Sequence, residues 1–139
     1  MPKIGFDKSF YQEELIKEGY KIDTTTRMQH ISDRDLFDFS KKHIPSNGSF
    51  FHTIITMTMH EPAQDNINPL FKGDADEGFF TNARITDDGI RAYVESLPAG
   101  TDVLIMGDHT PYHGPRSVHV PLILYRTGEP VPMKSPDIS

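Results

Sequence analysis

The chain has 139 residues, enough for one domain with a buried core, and it contains no cysteine, which excludes disulfides and thiolate metal sites. Hydrophobic residues make up 36% of it and charged residues 24%, a composition typical of a folded globular protein. A net charge of −6 argues against nonspecific nucleic-acid binding, and no apolar run is long enough to span a bilayer, so we expect a soluble chain with no membrane segment.

Two short helices are predicted in the first third of the chain. The segment Ser9–Gln12 has the form of a capping box and predicts the start of the first helix, with Gly19 as its stop signal. The second helix follows the N-cap residue Ser32, where the carboxylate of Asp33 favours the positive end of the helix dipole, and it is expected to end near Pro45.

Strands and a long helix are predicted over the middle of the chain. Residues 50–59 are rich in Phe, Ile, Thr and Met and predict a strand buried on both faces. The polar segment 61–75 predicts a long loop, and long loops in compact domains are often functional. Helical spacing of apolar residues predicts a helix over 76–97, and the apolar run 102–106 predicts a second strand buried on both faces.

A third apolar run, residues 120–125, follows a Gly, Pro and His loop at 110–118, and the chain after Thr127 is expected to be irregular. A strand–helix–strand connection over residues 50–106 is expected to form a right-handed parallel unit. The predicted fold class is therefore α/β, with a mostly parallel sheet flanked by helices.

Asp108 and His109 directly follow the predicted strand 102–106, one residue after Gly107. Ligand sites in open α/β sheets lie at the carboxyl ends of strands, and Asp and His are suitable ligands for a divalent metal ion. His60 follows the other strand of the parallel unit, so it is expected at the same sheet edge. The alternative interpretation is that these polar residues only terminate their strands.

Three segments together resemble the sulfatase-like catalytic domain of the lipoteichoic acid synthase and phosphoglycerol transferase family, which belongs to the alkaline phosphatase superfamily. Residues 50–62 resemble the family's strand with its Phe-Phe, Thr and His-x-Pro pattern, residues 83–97 resemble the helix after it, and residues 107–109 resemble its Gly-Asp-His motif. The resemblance covers roughly residues 5–126 and is strongest over 50–109. It implies that the sheet is part of an α/β/α sandwich.

The resemblance also implies a site. Asp108 and His109 would be ligands of a divalent metal ion, often manganese in this family, with zinc and magnesium as alternatives. His60 would donate a hydrogen bond to the phosphate group that is transferred. The implied substrate is a phosphate or sulfate ester, and the implied location is the extracytoplasmic face of the cell membrane.

No residue of this chain matches the family's nucleophilic Thr or Ser, since Thr24–Thr26 lies in a polar stretch after a helix rather than at a strand-to-helix turn. We therefore expect residues 1–139 to form a single partial domain. It would be the C-terminal half of a metal-dependent phosphoglycerol or phosphoethanolamine transferase, or of a related sulfatase-like phosphoesterase, and inactive alone. The alternative is a non-catalytic α/β module that binds an anion, a protein partner or a second copy through an exposed sheet edge.

Overall fold

The computed structural model describes residues 5–24, 29–60, 77–109 and 120–130. The chain divides into unit 1, residues 1–93, and unit 2, residues 94–139. The helices and strands are, in chain order, α1 (Gln12–Lys17), α2 (Asp33–Lys41), α3 (Glu77–Val94), β1 (Asp102–Met106) and β2 (Leu122–Arg126). Within the ranges that the structure describes, no helix combines the length and the apolar character that crossing a membrane requires.

The first helix begins later than its capping signal predicts. Tyr11, not Ser9, is the N-cap of α1, and its backbone N–H donates to the Glu14 carboxylate at 2.9 Å. The predicted capping box is therefore wrong by two residues, because Glu14 supplies the acceptor. The predicted stop is confirmed: Gly19 adopts a φ of 95°, which a glycine tolerates, and its N–H donates to the Ile16 carbonyl at 3.0 Å.

The second helix begins where its cap predicts. The Ser32 hydroxyl accepts a hydrogen bond from the Asp35 N–H at 3.2 Å, and α2 ends at Lys41, before Pro45. Its apolar side chains meet residues from α1 and from the segment between the helices. The core of unit 1 consists of Leu15, Ile31 and Phe39, with the partly buried Tyr20 and Leu36 packed against it.

The predicted strand over residues 50–59 is wrong. This segment forms no strand, and the side chains of Phe51 and Ile55 are 81% and 79% exposed. A strand requires a neighbour with which it exchanges backbone hydrogen bonds, and no described segment pairs with this one. The parallel strand–helix–strand unit is therefore not found among the described residues.

The long helix is confirmed, and it contains Gly89 as predicted. A Cβ atom at Gly89 would lie 2.7 Å from Cδ2 of Phe37, so only a glycine allows α2 and α3 to approach this closely. Beside this contact the rings of Phe37 and Tyr93 pack with their centroids 5.7 Å apart. The glycine weakens the helix locally, and in return it permits the packing of two helices in unit 1.

In unit 2, β1 and β2 pair in antiparallel register, with Leu104 opposite Leu124 and Met106 opposite Leu122. The prediction that residues 102–106 are buried on both faces is wrong, since Leu104 and Met106 are 59% and 62% exposed. The described pair does not test the larger sheet, so the mostly parallel sheet of an α/β/α sandwich stays a prediction. The predicted loops at 61–75 and 110–118 and the irregular chain after residue 130 lie outside the described residues.

Candidate functional site

The carboxyl end of β1 is held close to the residues that precede β2. The Gly107 N–H donates to the Pro121 carbonyl at 3.1 Å, which extends the pairing one residue beyond β1. A Cβ atom at Gly107 would lie 3.2 Å from Cβ of Val120 and 3.3 Å from Cδ of Pro121. Glycine is therefore the residue that fits here, and the chain leaves the sheet immediately afterwards.

Asp108 and His109 lie in the bend after Gly107, where the resemblance predicts metal ligands. The His109 N–H donates to Oδ1 of Asp108 at 2.9 Å, and Nε2 of His109 lies 3.7 Å from Oδ2 of Asp108. The Asp108 side chain is 90% exposed and the His109 side chain 49% exposed. The backbone hydrogen bond orients the carboxylate, and both side chains are accessible to an ion from solvent.

The separation of these two side chains fits a shared cation. Metal–ligand bonds of about 2.1 Å place two ligands of a tetrahedral ion about 3.4 Å apart, close to the observed Nε2–Oδ2 distance. Among the residues that the structure describes, no group of three or more His, Cys, Asp or Glu side chains is arranged to hold a metal ion. His113 and His119, in the loop after this pair, lie outside those residues. Asp108 and His109 therefore fit as two ligands of a site that requires at least one more.

The structure places His60 in unit 1 and the Asp108–His109 pair in unit 2. The His60 N–H donates to the Met57 carbonyl at 2.9 Å and closes a turn over residues 57–60, and the residue is exposed. His60 was predicted at the end of a strand, and it lies instead at the end of this turn.

A structural feature that the sequence does not predict is the buried carboxylate of Asp33, which has no solvent exposure. Its Oδ1 accepts from the N–H groups of Met57 and Thr58 at 2.9 and 3.0 Å, and its Oδ2 accepts from the Thr86 hydroxyl at 2.7 Å. The sequence assigns Asp33 only to the start of a helix. No local signal identifies its partners, because they lie 24, 25 and 53 residues further along the chain.

A second polar pair joins the segment 50–59 to α3. The Tyr93 hydroxyl lies 2.8 Å from Nδ1 of the half-buried His52. Burial raises the pKa of Tyr93 to about 12, so the phenol keeps its proton and donates it to this nitrogen. Burial lowers the pKa of His52, and the nearby His43 lowers it further, so the folded protein favours the neutral imidazole that accepts this hydrogen bond.

We expect stability to fall on acidification because of His52. Its pKa is lower in the folded protein than its ordinary value of 6.5, so the unfolded chain takes up a proton first as the pH falls. The contribution of His52 to the free energy of unfolding is fully present above pH 6.5. It is lost as the pH falls through that value toward the lower pKa of the folded state. Urea unfolding of the wild type and of His52→Gln between pH 7.5 and 5 measures it. The stability of the variant should fall less steeply, whereas parallel curves for the two proteins would contradict the assignment.

Comparison of the chain with family models, with curated proteins and with solved structures gives no match. The resemblance to the sulfatase-like transferases therefore rests on the residues of the three segments that suggest it. The structure places the residues that the resemblance selects in two positions: Asp108 and His109 directly after β1, and His60 at the end of the 57–60 turn.

Proposed function

We propose that this chain carries the metal-binding part of a sulfatase-like phosphoesterase or transferase, of the phosphoglycerol or phosphoethanolamine class. The observation that supports this most directly is the Asp108–His109 pair, which leaves the end of a strand with its carboxylate and imidazole exposed and 3.7 Å apart. Asp and His are oxygen and nitrogen ligands that suit Mn²⁺ and Zn²⁺, and Mg²⁺ is the alternative ion. The extracytoplasmic location and the choice between phosphate and sulfate esters are proposed on the resemblance alone.

The proposed chemistry assigns one role to each residue. Asp108 and His109 would hold the divalent ion, which neutralises ester oxygens and lowers the pKa of a hydroxyl nucleophile when it is bound. His60 would donate a hydrogen bond to a phosphate oxygen, where negative charge is concentrated during transfer. No residue of this chain is assigned as the nucleophile, so the chain alone is proposed to bind metal without turnover.

Metal binding tests this proposal. Calorimetric titration of the wild-type chain with Mn²⁺, and separately with Zn²⁺, is expected to show saturable binding that Asp108→Asn/His109→Gln abolishes. The expected affinity is modest, because the described residues supply two ligands where catalytic sites usually have three from the protein.

The matched control is Asp87→Asn, which removes a carboxylate that is also exposed and lies in α3, 3.5 Å from Nη2 of Arg91. This variant should bind both ions as the wild type does. Binding that survives in the double variant, or that is equally reduced by Asp87→Asn, would reject Asp108 and His109 as the ligands. A wild-type chain that is folded and binds neither ion would reject the metal site altogether.

A second candidate function, a non-catalytic module that binds a partner or a second copy, is favoured by one face of the β1–β2 pair. The register places four large aliphatic side chains on this face, and they are 59–73% exposed: Leu104, Met106, Leu122 and Leu124. Contiguous apolar surface of this kind marks interaction sites. Each strand also has an edge that pairs with no other strand of the described ranges. We name this set of four side chains the leucine face.

A further inference from the structure

The turn that carries His60 is joined to the start of α2 through both the carboxylate and the backbone N–H of Asp33. Residues 50–57 form no strand, so no sheet pairing holds this part of the chain in place within the described ranges. The backbone N–H groups of Met57 and Thr58 instead donate to Oδ1 of Asp33, and the Asp33 N–H donates to the Thr58 hydroxyl at 2.8 Å. Three hydrogen bonds therefore join Asp33, the first residue of α2, to two consecutive residues of the turn.

The charge of Asp33 suits this role. A fully buried carboxylate is stable only when its oxygens accept several hydrogen bonds, and Asp33 accepts three. It also lies in the first turn of α2, where the helix dipole favours a negative charge. Hydrogen bonds to an ionised acceptor are stronger than those between neutral groups, so this contact holds the backbone more firmly than a neutral side chain would.

The same hydrogen bonds fix the backbone position of His60. The Met57 N–H is bound by Asp33, and the Met57 carbonyl accepts the His60 N–H at 2.9 Å. A displacement of Met57 therefore moves His60 directly. We propose that Asp33 is a positioning residue for His60, holding the 57–60 turn on the N-terminus of α2 so that the imidazole is presented to a phosphate group at a fixed place. This inference rests on the proposed function, in which His60 binds the phosphate of the ester.

Thr86 offers a matched control. Its hydroxyl donates from α3 to the other carboxylate oxygen, Oδ2, whereas the Met57 and Thr58 N–H groups donate to Oδ1. Thr86→Val therefore removes one hydrogen bond of the same buried carboxylate and leaves both bonds from Oδ1 to the turn. If Asp33 served only to stabilise the packing of unit 1, each variant would reduce the order of the His60 amide and its phosphate response in proportion to the stability that it removes. Thr86→Val and Asp33→Ala would then differ only in degree.

The test is solution NMR of the ¹⁵N-labelled full chain, titrated with inorganic phosphate and followed at the His60 imidazole and backbone amide. Asp33→Ala is expected to disorder the His60 amide on the nanosecond timescale and to weaken the phosphate response at His60 by about tenfold. Asp33→Asn keeps an oxygen for the two backbone donors but is neutral, so it should recover part of the His60 order and phosphate response that Asp33→Ala loses, and Thr86→Val should leave His60 unchanged. A His60 response in Asp33→Asn that is no better than in Asp33→Ala, or an equal loss in Thr86→Val, would overturn the positioning role.

Hydrogen exchange in the wild type tests the proposal without any variant, which covers the case in which Asp33→Ala does not fold. The amides of Met57 and Thr58 are expected to exchange about 100-fold more slowly than that of the exposed Ile55 in the same segment. Equal exchange would show that Asp33 does not hold the turn.

The outcomes separate this inference from the proposed function. If phosphate leaves the His60 signals of the wild type unchanged, or if His60→Ala binds phosphate equally well, the proposed role of His60 is wrong. The hydrogen-exchange rates of Met57 and Thr58 and the order of the His60 amide would still test whether Asp33 holds the turn. If His60 binds phosphate and Asp33→Ala leaves that binding intact, the positioning role is wrong and the role of His60 stands.

Discussion

Replacing Phe39 by alanine is expected to lower the free energy of unfolding by about 3–5 kcal/mol, the usual cost of removing a buried aromatic ring. Phe39 is 2% exposed and lies in the core of unit 1 with Leu15 and Ile31. Its ring also contacts three neighbouring rings: the centroids of Phe10 and Tyr20 lie 5.2 and 6.0 Å away in edge-to-face arrangements, and that of His43 lies 4.3 Å away in a stacked one. The substitution therefore removes apolar burial and aromatic contacts together.

Urea unfolding followed by far-ultraviolet circular dichroism measures this loss. The control is Phe51→Ala, the same chemical change at a residue that is 81% exposed and whose ring packs only on Phe6 among the described rings, at 5.9 Å. It should cost less than about 1 kcal/mol. Similar losses for the two variants would show that the stability of unit 1 does not depend on this core, and would contradict the packing described.

Local signals predict the helices of this chain well. Ser32 is a cap because its own hydroxyl reaches a backbone N–H three residues later, and Gly19 is a stop because of its own backbone conformation. Neither effect depends on a distant residue. The capping signal at Ser9–Gln12 failed for a related reason: Tyr11 is followed three residues later by a glutamate, and this carboxylate competes successfully with the predicted pair.

The segment 50–59 shows why composition alone does not predict a strand. Its β-branched and aromatic residues favour extended structure, but a strand is defined by its partner, and partners are set by the whole chain. From Phe51 to Thr56, exposed residues alternate with half-buried ones, as expected for an extended segment with one side packed and one side open to solvent. The sequence predicted burial on both faces, so neither this alternation nor the missing strand pairing was predicted.

The candidate site is predicted in part. The position of Asp108 and His109 directly after a strand follows from the apolar run and Gly107, and the structure confirms that position. Metal binding by this pair, and contact between His60 and a phosphate or sulfate ester, stay predictions. The sequence does not predict the proposed role of Asp33, because that role depends on a hydrogen bond from Met57, which lies 24 residues further along the chain.

The leucine face is expected to drive association of the chain into a dimer. A two-stranded sheet is marginally stable alone, so covering its apolar face favours both folding and assembly. At one end of this face Arg126 and Asp102 form a two-bond ion pair, with Nε–Oδ1 at 2.6 Å and Nη2–Oδ2 at 2.8 Å. Hydrogen bonding to Arg126 lowers the pKa of Asp102, so this ion pair at the end of the face stays charged at neutral pH.

Leu124→Lys is expected to weaken a dimer formed through this face by about 1,000-fold. A lysine at the centre of an apolar contact typically costs about 2 kcal/mol, and a symmetric dimer contains the substitution twice, for about 4 kcal/mol in total. Light scattering over a range of protein concentrations measures the change. The matched control is Ile123→Lys, which places the same charge on the neighbouring residue of β2, 52% exposed and on the opposite face of the sheet.

Retention of the dimer in Ile123→Lys and its loss in Leu124→Lys would support the second candidate function and locate the contact on the leucine face. Equal loss in both variants would show that the added charge, rather than the face, prevents association. A wild-type chain that remains monomeric at high concentration would exclude self-association through this face. The metal titration is independent of this outcome, since Asp108 and His109 lie beyond the end of β1 and not on the face itself.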